Sequence, residues 1–116
     1  MSKETNRDEM AGAAEKRCED ILREAVCHYG NALQVLKAIE ELGELIRAIA
    51  RIWMCGDDED KTVKAYANLA EEMADVEIML EQLKIIYGNS KKVAIRREIK
   101  LGRLSARMRE EQKTEE

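Results

Sequence analysis

An all-α fold, in the form of a four-helix bundle around a central antiparallel hairpin, is predicted by three features of the sequence. The 116 residues include no proline and no phenylalanine, and Ala, Leu, Ile, Met, Glu, Lys and Arg dominate; this is the vocabulary of helices. Polar breaks are few: Gly30-Asn31, Gly56-Asp57-Asp58 and Gly88-Asn89-Ser90. Between them, apolar residues recur at the three- and four-residue spacing of a helix face. The length suits one core. It is read as one domain over residues 1–110, followed by a frayed charged tail over 111–116.

The first helix is expected from Arg7 to Tyr29, with Ala14, Cys18, Ile21, Leu22 and Ala25 as its apolar stripe. The second runs from Ala32 to Met54, with Asn31 as its N-cap and Gly56 in the left-handed position past its end. The third starts near Thr62 and ends at Gly88, and the fourth runs from Ser90 to about Glu110. The connection Gly56 to Lys61 is short, so the second and third helices should lie antiparallel. Their apolar faces are broad for one small chain, which predicts a homo-oligomer.

Charged residues form 38% of the chain and nearly balance, for a net charge of -4. A domain built to grip a phosphate backbone is usually clearly basic, so nucleic acid is set aside as the main partner. No apolar run approaches the roughly 18 residues of a membrane span, and residues Met1 to Met10 carry no apolar stretch for a secretory signal. Cys18, Cys27 and Cys55 are odd in number and lie at no metal-ligand spacing. They read as reduced, small apolar residues of a cytoplasmic protein.

The chemistry is expected in two acid pairs. On the second helix, Val35, Ile39, Leu42, Ile46, Ile49 and Trp53 form the main apolar face. Glu41 and Glu44 sit together on its flank, with Lys37 one turn before Glu41. On the third helix, Leu69, Met73, Val76, Leu80 and Leu83 form the face, extended by Met79 and Ile86. Glu72 falls inside that arc, with Asp75 and Asn68 beside it. An acid in an apolar stripe is costly to bury unpaired. Packing the two helices antiparallel brings four carboxylates together, and these repel each other unless a cation intervenes. Magnesium fits, since it takes a few carboxylates plus water and phosphate oxygens. A di-iron bundle wants Glu-x-x-His on two helices, and the one histidine, His28, lies outside any such motif. Glu40, Glu71, Glu77 and Glu81 read as solvated or salt-bridged.

Glu40-Glu41-Leu42-Gly43-Glu44, followed by Glu72-Met73-Ala74-Asp75, resembles the EExxE…ExxD signature of MazG-like nucleoside triphosphate pyrophosphohydrolases, within the all-α NTP pyrophosphatase superfamily. The stretch Asn68 to Lys84 is also similar to small single-domain members, including phage-borne ones. The resemblance covers roughly Ala32 to Met108. It implies hydrolysis of a nucleoside triphosphate at the α–β linkage, giving the monophosphate and pyrophosphate. It implies Mg²⁺, or Mn²⁺ as a substitute, on Glu41, Glu44, Glu72 and Asp75, with Glu40 or Glu41 as general base. It favours a homodimer or a dimer of dimers.

Cationic groups must complete such a site. Lys37 is one candidate. On the fourth helix, Arg96, Lys100, Arg103 and Arg107 form a basic stripe, and Lys100-Leu101-Gly102-Arg103 is similar to the family's Lys-x-x-Arg. Lys100 and Arg103 are the favoured phosphate contacts, and Asn68 could hold a water or the sugar. Trp53 reads as core rather than as a platform for a base. Two alternatives stand beside this reading. One is a non-catalytic helical module that only oligomerises or regulates; the other is a superfamily relative acting on dUTP or phosphoribosyl-ATP.

Overall fold

The computed structural model describes residues 3–115; Met1, Ser2 and Glu116, which the domain and tail boundaries include, lie outside the described residues. Four helices follow one another: α1 Lys3–Tyr29, α2 Asn31–Met54, α3 Glu59–Tyr87 and α4 Ser90–Glu115. No strand occurs among the described residues. No helix is long and apolar enough to cross a membrane. The chain divides into two compact units, Met1–Ile86 and Tyr87–Glu116.

The helix ends show which residues punctuate the chain. Gly30, at φ 87°, is the N-cap of α2, so Asn31 is the first helical residue rather than the cap. Only a residue without Cβ adopts that backbone readily. Gly30 continues α1 by donating its N–H to the Val26 carbonyl at 2.9 Å, and its own carbonyl accepts from the Gln34 N–H at 3.2 Å. The α3 helix begins a turn before Thr62, because Asp58 takes over its start. The Asp58 carboxylate accepts the Lys61 N–H at 3.1 Å, and its carbonyl accepts the Thr62 N–H at 3.0 Å and hydroxyl at 2.8 Å. Asp is among the strongest residues for orphaned helix-start amides.

Unit 1 holds α1, α2 and α3. Its centre is the α2–α3 hairpin, and the contacts run in opposite senses along the two helices. Near the start of α2, the Gln34 Nε2–H donates to Gln82 Oε1, near the end of α3, at 2.6 Å. Midway, Glu41 meets Glu72 and Asp75. The α2 side of this seam is Gln34, Ala38, Glu41, Leu45, Ala48 and Ile52, and the α3 side is Ala65, Leu69, Glu72, Val76, Met79, Leu83 and Ile86. Every one of these is buried or half-buried. Steps of four and three alternate along both sides, the repeat of paired helices.

The seam corrects the sequence reading of α2. The face of Ile39, Leu42, Ile46, Ile49 and Trp53 is not core; these residues are 62%, 41%, 69%, 46% and 86% exposed. The stripe one residue earlier, rich in alanine, faces α3 instead. Small side chains let two helices approach closely, which large branched ones at the same positions would prevent. Met73 and Leu80 likewise turn outward on α3. On α1, only Leu22 and Val26 are buried; Ala14, Cys18 and Ile21 are exposed. The thiols of Cys18 and Cys27 face solvent rather than a core.

Unit 2 is essentially α4, which continues to Glu115 through the segment expected to fray. None of its residues is fully buried, and Ile95, Ile99, Leu101, Leu104 and Met108 are all exposed. Its Lys92, Arg96, Arg97 and Lys100 line one groove with Val93, Leu101 and Leu104 as an apolar floor.

Candidate metal centre

Three of the four expected acids converge. One carboxylate oxygen each from Glu41, Glu72 and Asp75 lies within 4.8 Å of the other two. Glu41 comes from the α2 seam, Glu72 from the α3 seam opposite, and Asp75 from the next turn of α3. Two oxygens on opposite sides of an ion at about 2.1 Å stand roughly 4.2 Å apart, so small side-chain adjustments bring all three to one magnesium. Glu41, which periodicity places on the flank of the apolar face of α2, is half-buried. Its side chain is only 12% exposed.

The electrostatics of this cluster favour a positive occupant. Glu72 Oε2 is buried and accepts no hydrogen bond. A buried, unpartnered carboxylate oxygen is expensive to leave so. Loss of water around Glu72 raises its pKa above the ordinary value of 4.5, and the nearby charges of Glu41, Asp75 and Glu44 push it further the same way. Asp75 is raised too, first by desolvation, then by Glu41 and Glu71, with Lys37 opposing. Either protons or a cation must relieve this, and hard oxygen donors of this number suit a hard divalent ion.

The remaining expected residues are distributed unevenly. Lys37 belongs to the cluster: its Nζ lies 3.2 Å from Glu41 Oε1 and 3.7 Å from Glu40 Oε2. The bond to Glu41 and the charges of both acids raise its pKa, so it stays protonated. Glu40 is open to solvent, its side chain 62% exposed. Glu44 stands outside the triad, close enough for its charge to act on Glu72. It is half-exposed and pairs with Arg47 at 3.7 Å. Asn68 lies one turn before Glu72 and faces a cleft with Arg51, Lys61 and Lys64. Lys100 and Arg103 are on α4 in unit 2, where Lys100 lines the basic groove and Arg103 does not. Glu81, read as salt-bridged, pairs with Lys84 at 2.6 Å.

Sequence reasoning missed two features. One is the buried Gln34–Gln82 bond, since a glutamine on a helix ordinarily lies in solvent. The other is the group Arg51, Lys61 and Lys64, which no local spacing announces because it forms only when the hairpin brings α2 and α3 together. The chain matches no protein-family model, no curated protein and no solved structure.

Proposed function

We propose that the chain is a magnesium-dependent nucleoside triphosphate pyrophosphohydrolase, cutting the α–β anhydride to release a monophosphate and pyrophosphate. The observation that carries this reading is the convergence of Glu41, Glu72 and Asp75 at a place where one carboxylate oxygen is buried without a partner. The similarity of Glu40 to Glu44 and Glu72 to Asp75 to the MazG-like signature supplies the substrate class.

Glu41, Glu72 and Asp75 would hold the ion, with Glu44 joining from its half-exposed position. Bound there, Mg²⁺, or Mn²⁺ in its place, would offset the charge of the phosphates and acidify water. Lys37 fixes Glu41 through their 3.2 Å pair, so that this carboxylate keeps its orientation when solvent enters. Glu40 is open to solvent and held loosely at 3.7 Å by the same lysine. It is the acid placed to accept a proton from an attacking water, while Glu41 serves as ligand. For Lys100 and Arg103 of α4, a role with the substrate phosphates rests on the resemblance alone. The assembled protein is a homodimer or a dimer of dimers in the cytoplasm, since the outward stripe of α2 is left bare in one chain.

The test is a screen of common and modified NTPs and dNTPs, dUTP and phosphoribosyl-ATP included, with Mg²⁺ and with EDTA. Pyrophosphate and the monophosphate are expected in equal amounts from at least one, with Mg²⁺ only. Release of orthophosphate instead, or no product across the panel, sinks the reading and leaves a non-catalytic helical module.

A further inference from the structure

Six cations lie on α2 and α3, and they divide evenly. Lys37, Arg47 and Lys84 are each paired with an acid on their own helix. Among the described residues, no ion pair engages Arg51, Lys61 or Lys64. These three line one cleft at the closed end of the hairpin. Acids are close at hand in the Asp57 to Asp60 segment, yet none forms an ion pair with these three. Asp58 spends its carboxylate on the start of α3, accepting the Lys61 backbone N–H at 3.1 Å.

The cleft has a volume of about 440 Å³, within the roughly 300–1,000 Å³ of small-ligand sites. Met54 and Ala65 give it an apolar wall, and Asn68 offers a half-buried amide. Like charges gathered around a concave surface focus their field into it. One residue of its lining, Asn68, leads along α3 toward the acid cluster. Asn68, Glu72 and Asp75 are successive turns of one face of α3, so Asn68 stands only about 6 Å along the axis from Glu72. Arg51 follows Glu44 by two turns on α2. The Cβ of a helical residue leans toward the helix start, so Arg51 leans back toward the acids.

We infer that this cleft is an anion subsite for the terminal phosphates of the substrate, and hence for pyrophosphate after cleavage. The inference rests on the hydrolase reading for its substrate and on the Arg51, Lys61, Lys64 geometry for its place. A triphosphate carries more charge than the acid-held ion cancels, and Lys37 is already committed to Glu40 and Glu41. The unengaged cations, about two to three turns beyond the acids along the two helices, supply the remainder. The two helices thus divide the work, with acids holding the ion at mid-hairpin and cations holding the leaving group at its end.

The probe is inorganic pyrophosphate, titrated calorimetrically into the full chain in EDTA and again with Mg²⁺. Arg51, Lys61 and Lys64 are exposed, so the triple variant R51A/K61A/K64A should keep its helical circular dichroism. Wild type is expected to bind pyrophosphate in EDTA. The triple variant should bind it about tenfold or more weakly, with Mg²⁺ affinity unchanged and KM for the triphosphate raised. Equal pyrophosphate affinity in the two proteins, or no binding by wild type in either buffer, overturns the subsite. Binding abolished by the triple substitution in a chain that cleaves no triphosphate upholds the cleft and overturns the hydrolase. Cleavage with KM unmoved by the substitution upholds the hydrolase and overturns the cleft.

Discussion

Glu72 occupies a seam position between Leu69 and Val76, where paired helices ordinarily place an apolar side chain. Its Oε2 has no partner, and Glu41 and Asp75 stand beside it. In the metal-free protein its pKa is raised by desolvation first and by the neighbouring acids next. The folded chain therefore holds this proton to higher pH than the unfolded chain does. Its contribution to stability is full below the ordinary carboxylate value of 4.5 and is lost as pH rises through the raised one. In EDTA, the thermal midpoint of wild type should thus fall as pH rises above the ordinary carboxylate value of 4.5. Glu72→Gln removes the repelled charge, so it should raise the midpoint in EDTA at neutral pH and flatten this dependence. The same variant should weaken Mg²⁺ binding about tenfold or more and abolish the stabilisation that Mg²⁺ gives wild type. Scanning calorimetry at several pH values, with and without Mg²⁺, checks both. A Mg²⁺-induced rise of wild-type size in Glu72→Gln would contradict the role given to this carboxylate.

At the scale of the element, α2 carries two parallel stripes, and only one of them meets α3. The helix limits near Gly30, Gly56 and Gly88 were legible, because glycine placement acts locally; of the two acid pairs, Glu41, Glu72 and Asp75 meet and Glu44 does not. The choice of stripe was not legible. Val35, Ile39, Leu42, Ile46, Ile49 and Trp53 have the same period as Gln34, Ala38, Glu41, Leu45, Ala48 and Ile52, and the first set is the more apolar. Only the second set is buried or half-buried throughout, and which stripe is covered depends on the pairing of two helices, which neither sequence states alone. Gln34 and Gln82 follow from this. They are 7% and 4% exposed, and the Gln34 Nε2–H donates to Gln82 Oε1 across the seam at 2.6 Å. Removing one partner strands the other, so Gln34→Ala should cost about 1–3 kcal/mol. Replacing both with leucine should cost much less than the two single changes together, since no polar group is then left unpaired. Urea unfolding of the two single variants and the double variant closes the cycle; additive losses would mean that the hydrogen bond does not couple the helices.

For the whole molecule, the buried apolar set is thin. It consists of Leu22, Val26, Ala38, Ala48, Ala65, Val76 and Met79, and three of these are alanines. Fully burying a large apolar side chain is worth roughly 1.5–3 kcal/mol, so this set alone offsets little of the entropy of ordering four long helices. Against it stands an outward stripe of five large residues on α2, Trp53 at its end 86% exposed. Patches of that kind on a polar-rimmed surface mark association sites. The proposed homo-oligomer therefore supplies both a core and a reason for the stripe's heptad spacing, which matches that of a helix packing on a helix. Ile46 lies in the middle of the stripe and is 69% exposed in the single chain. Ile46→Glu should cost little in an isolated chain and much in an oligomer, because it places a charge in an interface with no partner. Size-exclusion chromatography with light scattering should find wild type as a dimer or tetramer and Ile46→Glu as a monomer at the same concentration. The wild-type thermal midpoint should rise with protein concentration and that of the variant should not, since only an associating fold gains from mass action. A wild type that stays monomeric at about 100 μM, roughly a hundredfold above a micromolar dissociation constant, rules out this use of the stripe.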